Sequence, residues 1–301
     1  MTRVSVIIPT FNRQDLISNC VDSVMSQTKQ ADEIIVVDDG SVDNTWQILR
    51  EKGFSDSLQN KTALRYIYQK NQGVSAARNI GIKSSRYEYI ALLDSDDHWK
   101  KNKLERQIST LEAKSFPCRI SHTDEIWIRN GVRVNAKKKH AKSGGNIFYK
   151  SLKLCCISPS STVIHKSVFD DFGYFDEKLR ACEDYDFWLR FSAYEDVHFL
   201  NEPLVIRFGG HSDQLSKAYW GMDRFRIYAL EKLVREQNLS DGKRQATLRE
   251  LIYRLGILIG GAKKRDNITF AQELKSKKSH WEKVLLAEQH HFDRMVCGNK
   301  N

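Results

Sequence analysis

The feature that most constrains this 301-residue chain is a strand–helix alternation that recurs through its first hundred or so residues. Val4-Ser5-Val6-Ile7-Ile8, closed by Pro9, is a short β-branched apolar run of the kind that forms a buried strand. Leu16, Ile17, Cys20, Val21, Val24 and Met25 then recur at helical spacing. Ile34 to Val37 reads as a second strand, stopped by Asp38-Asp39-Gly40-Ser41; Trp46 to Leu49 belong to a second helix and Leu64 to Tyr68 to a third strand. Val74 to Ile82 is helical in composition, and Tyr89 to Leu93 is a fourth strand followed by Asp94-Ser95-Asp96-Asp97. Repeated units of this kind build a mainly parallel, Rossmann-like sheet with helices on both faces. Ligands of such sheets bind beyond the carboxyl ends of the strands, which is where this chain concentrates its acids. The first two-thirds is expected to be α/β.

Beyond residue 115 the pattern becomes mixed. Ile120 to Arg129 and Val132 to Asn135 flank Asn130-Gly131, a good two-residue hairpin turn. Ser161 to His165 and Leu204 to Phe208 read as strands, with a helix over Glu183 to Ala193 between them. From Lys217 onward no strand signal remains; Leu248, Leu251, Ile252, Leu255, Leu258 and Ile259 follow the spacing of an amphipathic helix. Charge divides the chain at the same place. The net charge is +10, and residues 217–301, with 18 Lys and Arg against 10 Asp and Glu, carry +8 of it. Two units are therefore expected, 1–216 and a basic helical extension over 217–301.

Several function classes are excluded on residue types. No G-x-G-x-x-G follows the first strand, where Pro9-Thr10-Phe11-Asn12-Arg13 stands instead, and no GxxxxGK[ST] occurs, so neither standard phosphate loop is available. The longest apolar runs are far shorter than the roughly 18 residues of a membrane span, and Pro9 interrupts any secretory core. Six cysteines without a CxxC pair argue against a zinc site or a disulfide framework and for a reducing, cytoplasmic setting. Nucleic acid is not an expected partner: no recognised module is present, and the strand-end acids would repel phosphate without a metal.

Three acidic clusters are left as candidate chemistry. Asp94-Ser95-Asp96-Asp97 puts three carboxylates at one strand end, suited to a hard divalent ion that also takes phosphate; the same residues could instead cap the helix that begins near Lys100. Asp38-Asp39-Gly40-Ser41 reads on its own as a turn after a strand, with an acceptor for a base or ribose as the functional alternative. Glu183-Asp184-Tyr185-Asp186 opens a helix, where acids favour the dipole, and a carboxylate there could also serve as a general base.

These segments in order, with Asn71-x-Gly73-x-Ser75-x-Ala77-Arg78-Asn79-x-Gly81 between the second and fourth strands, resemble glycosyltransferase family 2, the inverting enzymes of GT-A fold. The resemblance covers about residues 1–115 closely and continues loosely through Gly173-Tyr174-Phe175-Asp176-Glu177 and Glu183 to Trp188 as far as His211. It implies a nucleotide-sugar donor, UDP-linked in the usual case, and a glycan or glycolipid acceptor in cell-surface polysaccharide synthesis. Pro9, Thr10, Phe11 and Asn12 would line the nucleotide pocket, and Asp39 would accept from the base. Arg78 and Asn71 would lie near ribose or phosphates. Asp94, Ser95 and Asp96 form the D-x-D motif, with Asp96 as ligand to Mn²⁺ or Mg²⁺ and His211 as a second candidate ligand. Asp184 would be the catalytic base, with Glu183 as the fallback. The alternative is a non-catalytic sugar-nucleotide-binding or scaffold protein on the same fold, which would have no need of the base. The basic run Arg133 to Lys142 reads either as a solvated loop or as a lid over an anionic ligand. The extension suits packing on the catalytic unit or a peripheral contact with anionic lipid on the inner face of the cytoplasmic membrane.

Overall fold

The computed structural model describes residues 2–56, 63–113, 118–135, 137–210, 219–236 and 238–298, with 290–298 as backbone only. Its core is a sheet that begins as the alternation requires. Strands β1 (Val4–Thr10), β2 (Glu33–Asp38) and β5 (Tyr89–Leu92) pair in parallel around β1, with β4 (Leu64–Tyr68) and the two-residue β3 (Ser55–Asp56) parallel beyond β2. The connections are helices: α1 (Ile17–Met25), α2 (Thr45–Glu51) and α3 (Val74–Ser84).

The second half of the sheet is mixed. Strand β9 (Thr162–His165) runs antiparallel to both β5 and β7 (Ile120–Arg129). Strand β10 (His198–Gly209) lies parallel to β7, and β6 (His98–Trp99) closes the far edge antiparallel to β10. The expected hairpin is present, with β8 (Val132–Val134) folded back on β7 around Asn130 and Gly131, both at positive φ. Strand β10 begins well before the apolar run Leu204–Phe208, because its first half pairs with β7 through two register shifts around Pro203. Proline offers no N–H to the ladder, so a bulge there lets the strand continue.

Two cores sit on opposite faces of the sheet, as side-chain alternation demands. Val4, Val6 and Ile8 pack with Ile17, Cys20 and Val24 of α1 and with Leu104 and Ile108 of α4 (Lys103–Glu112). Ile7, Ile35 and Val37 face the other way, toward Ala77 and Ile82 of α3, Val168 and Phe169 of α6 (Ser167–Phe172), and Phe187, Trp188 and Phe191 of α7 (Glu183–Ser192). Helix α3 lies unusually close to the sheet. A Cβ on Gly81 would stand 2.3 Å from Ile7 Cγ2, so only glycine fits there.

A third core joins the extension to the rest. Helices α8 (Asp223–Glu236), α9 (Asp241–Lys264) and α10 (Ile268–Gly298) contribute Leu230, Leu251, Leu255 and Trp281. These pack with Phe148 and Leu152 of α5 (Phe148–Lys153) and with Tyr185 and Leu189 of α7. One face of α7 thus supports the sheet and another carries the helical extension, which fixes the start of this helix from two sides. Among the described residues no helix is long and apolar enough to cross a membrane.

Candidate active site

The strand order places a switch point beside β1. The chain leaves β1 for β2 and β4 on one side, then returns to β5 on the other. A crevice opens at the carboxyl ends of such a strand pair, and the segments after β1 and β5 are Phe11-Asn12-Arg13 and Leu93-Asp94-Ser95-Asp96-Asp97.

The loops after β1 and β2 interlock. Asn12 takes a left-handed conformation, φ 51°, in which its N–H donates to Ser41 Oγ at 2.8 Å and its Oδ1 accepts from Val42 N at 2.9 Å. Pro9 and Thr10 are buried, and Thr10 Oγ1 has no hydrogen-bond partner; Phe11 is exposed. Asp39 is buried and accepts three bonds, from Gln69 Nε2 at 2.5 Å, Gln72 N at 2.8 Å and Gly73 N at 2.9 Å. It thereby pins the segment that leads into α3, with capacity left for one further donor. Asn71, in that segment, is exposed.

The acids after β5 are held in three different ways. Asp94 accepts from Arg78 Nη2 at 2.7 Å, while Arg78 Nη1 donates to Glu183 Oε1 at 2.5 Å. One buried guanidinium from α3 therefore ties the end of β5 to the start of α7. Burial works against the Arg78 charge, but Asp94 and Glu183 outweigh it and raise the Arg78 pKa further. Asp97 is fully buried and accepts from Ser160 Oγ at 2.6 Å and from Phe208 N at 3.2 Å, so it braces β10. Burial holds its carboxyl well above the usual range, against the pull of Arg207 and with Asp96 and Asp94 adding to the rise. Ser95 is buried beside them.

Among the described residues Asp96 makes no such tie. Burial first, and the Asp94 charge second, raise its pKa, with Arg13 and Arg207 pulling the other way. A half-buried carboxylate repelled by its neighbours is one that a cation would relieve. Among the described residues no cluster of three or more His, Cys, Asp or Glu is arranged to hold a metal ion by itself. Asp96 could still serve as the single carboxylate ligand of an ion such as Mg²⁺ or Mn²⁺, which completes its shell with substrate phosphates and water. His211 lies outside the described residues.

At the head of α7 the two adjacent acids part company. Glu183 is buried and held by Arg78; burial, reinforced by Asp184, keeps its pKa raised even so. Asp184 is half-buried, and no cation stands within ion-pair distance of it among the described residues. Its Oδ1 accepts from Tyr185 N at 2.7 Å and its Oδ2 lies 3.3 Å from Cys155 Sγ. The residue before them, Cys182, caps the helix in a left-handed conformation (φ 61°, ψ 23°), uncommon for a residue with a side chain.

Several residues at the site carried no advance signal. Arg207 sits on β10 with Nε 3.6 Å from Asp97 and Nη1 3.8 Å from Glu125, which in turn pairs with Lys142 at 2.6 Å. Lys142 is thus drawn inward at the end of the basic run, while Lys137, Lys138 and Lys139 are exposed. A single arginine in a β-branched strand and a single glutamate in an edge-like one were the only marks, and Cys155 had none.

Known proteins resemble this chain in sequence and in fold. The profile described as glycosyl transferase family 2 matches residues 5–173. A Rickettsia felis protein described as an uncharacterized glycosyltransferase is 32% identical over 216 residues, 69% of this chain and 33% of that protein. The chain thus spans about a third of the length of that relative. WfaP of Escherichia coli, a UDP-Glc:alpha-D-GlcNAc-diphosphoundecaprenol beta-1,3-glucosyltransferase, is 34% identical over 197 residues, 63% of this chain and 70% of WfaP. The structure of S. aureus TarS 1-349 in complex with UDP-GlcNAc matches with a TM-score of 0.68 over 96% of this chain and 92% of that one, at 18% identity. At that identity the likeness shows the GT-A-type fold alone. A family profile matched over more than half of this chain makes it a member of glycosyl transferase family 2.

Proposed function

We propose that the chain transfers a sugar from a UDP-linked donor to a hydroxyl of a lipid-linked glycan during cell-surface polysaccharide synthesis, with inversion at the anomeric carbon. The donor and acceptor classes follow WfaP, whose name specifies UDP-Glc and a diphosphoundecaprenol-linked sugar, and TarS, which binds UDP-GlcNAc. The nucleotide lies along Pro9 to Asn12 and Asp39, and the diphosphate points toward Asp96.

Asp184 is the base. The observation that carries this is the division of labour at the head of α7: Arg78 engages Glu183 at 2.5 Å and Asp94 at 2.7 Å, while no cation among the described residues pairs with Asp184. Glu183 is buried with Oε1 taken by the Arg78 guanidinium, whereas Asp184 is half-buried and open to an incoming hydroxyl, so Asp184 is the acid that an acceptor can reach. Asp184 takes the proton as the acceptor oxygen attacks the anomeric carbon from the side opposite the diphosphate. One such displacement inverts the centre and needs no covalent nucleophile.

Asp96 would hold Mn²⁺ or Mg²⁺, an ion that would supply charge neutralisation for the departing diphosphate. Arg13 and Arg207, whose charges both act on Asp96, add positive potential on the same side. The extension brings the enzyme to its lipid-linked acceptor: Arg249, Tyr253, Ile257 and Lys264 share one exposed face of α9, an apolar pair between cations that suits the surface of an anionic membrane.

Calorimetric titration of UDP in Mn²⁺, repeated in EDTA and with Asp96→Ala, tests the donor site. Binding in Mn²⁺ that weakens at least tenfold in EDTA and in the variant supports the proposal. Equal affinity under all three conditions, or no binding of UDP at all, overturns it.

A further inference from the structure

We propose that Cys155 is a positioning residue for the transfer reaction: its thiol donates to Asp184 Oδ2 and holds that carboxylate in the orientation from which it removes the acceptor's proton. The inference rests on the assignment of Asp184 as the base.

The geometry gives Asp184 two anchors. Its Oδ1 is fixed by the amide of Tyr185, one residue on, and its Oδ2 by Cys155 Sγ at 3.3 Å. The first anchor belongs to the helix itself. The second comes from a different part of the chain, the segment that follows α5, so it sets how the carboxylate plane is turned. The Cys155 sulfur also lies 3.2 Å from the Ile157 carbonyl oxygen, a second acceptor for its one proton, and the charged Asp184 carboxylate is the stronger acceptor of the two; the adjacent Cys156 sends its own sulfur to the Leu154 carbonyl.

The chemistry of a thiol suits this task better than that of a cation. Burial, and then the Asp184 charge, push the Cys155 thiol well above its ordinary pKa, so it stays protonated near neutral pH and remains a donor. A thiol is a weak, uncharged donor. It can orient a carboxylate without greatly stabilising the charged form, whereas the Arg78 guanidinium on Glu183 does both. A carboxylate has about four lone-pair sites; the amide and the thiol occupy two, which leaves two for the acceptor hydroxyl.

The test compares three variants with the parent in UDP release from the UDP-sugar that the parent turns over, with UDP affinity measured alongside by calorimetry. Cys155→Val keeps the approximate volume and removes the donor, Cys155→Ser keeps a donor, and Asp184→Asn removes the base. The proposal expects Cys155→Val to lose about tenfold or more in kcat, because a misaligned general base forfeits part of its contribution. Its donor KM and UDP affinity stay within about twofold, and Cys155→Ser stays within about threefold of the parent in kcat. Three results overturn it. If Asp184→Asn loses activity while Cys155→Val retains it, the thiol has no such role and the base assignment stands. If Cys155→Ser and Cys155→Val fail alike, with kcat and UDP affinity falling together, the sulfur is only packing. If Asp184→Asn turns over as fast as the parent, the base assignment itself falls and this proposal with it.

Discussion

Arg78→Met removes the cation that ties β5, α3 and α7 together, and its cost can be worked from the structure. Two carboxylates lose their partner. The Glu183 side chain is 7% exposed and the Asp94 side chain 23%, so Asp94 can turn toward water and Glu183 cannot. Breaking a buried pair from one side costs about 3–5 kcal/mol, mostly from the charge left behind. With one of the two acids able to escape, about 3 kcal/mol at pH 8 is expected. The cost depends on pH with a definite sign. Burial and Asp184 already hold Glu183 above the usual carboxylate range with Arg78 beside it, and without Arg78 its folded-state pKa rises further. A group whose folded pKa is raised binds more protons folded than unfolded, so the variant loses stability as pH climbs from the unfolded value through the folded one. The deficit should therefore be about 1–2 kcal/mol smaller at pH 5 than at pH 8. Urea unfolding of parent and variant at both pH values measures this. A deficit under about 1 kcal/mol, equal at both, would refute the reasoning.

Three further outcomes are expected. Gly81→Ala puts a methyl into Ile7 and should lower stability by about 1–3 kcal/mol in thermal denaturation. Glu125 is brought down to about 2, Lys142 and Arg207 prevailing over the burial that alone would raise it. A lowered carboxylate pKa stabilises above the unfolded value and loses that contribution as pH falls toward 2, so acid unfolding of Glu125→Gln should be shallower than the parent's between about pH 4.5 and pH 2. Tyr253→Ser with Ile257→Ser should reduce co-sedimentation with phosphatidylglycerol vesicles at low salt while UDP affinity is unchanged; undiminished sedimentation would remove α9 from any membrane contact.

The parallel half of the sheet was legible because its strands are fully buried β-branched runs, such as Val4 to Ile8 and Ile34 to Val37, and such runs declare themselves in sequence. The mixed half was less so. The two-residue strand His98–Trp99 owes its place to pairing with β10, and the start of β10 depends on bulges at Pro203, neither of which has a local pattern. At the site, motif order placed Asp39, Arg78, Asp94, Asp96 and the Glu183-Asp184 pair at one end of the sheet, where the structure also has them. What sequence could not supply was the partition among them. That Arg78 occupies Glu183, that Asp39 spends its oxygens on Gln69, Gln72 and Gly73, and that Asp97 braces Phe208 are all long-range pairings. Cys155, 29 residues from Asp184, meets it only because α5 and α7 pack in one core.

The most direct test of the account is UDP release from UDP-Glc and UDP-GlcNAc in Mn²⁺ by the parent, by Asp184→Asn and by Glu183→Gln, each checked for retained UDP affinity. The account predicts turnover of at least one donor by the parent and a loss of about 10²–10⁴-fold in kcat for Asp184→Asn with UDP affinity preserved. An Asp184→Asn variant as fast as the parent, with activity lost instead only in Glu183→Gln, would contradict it.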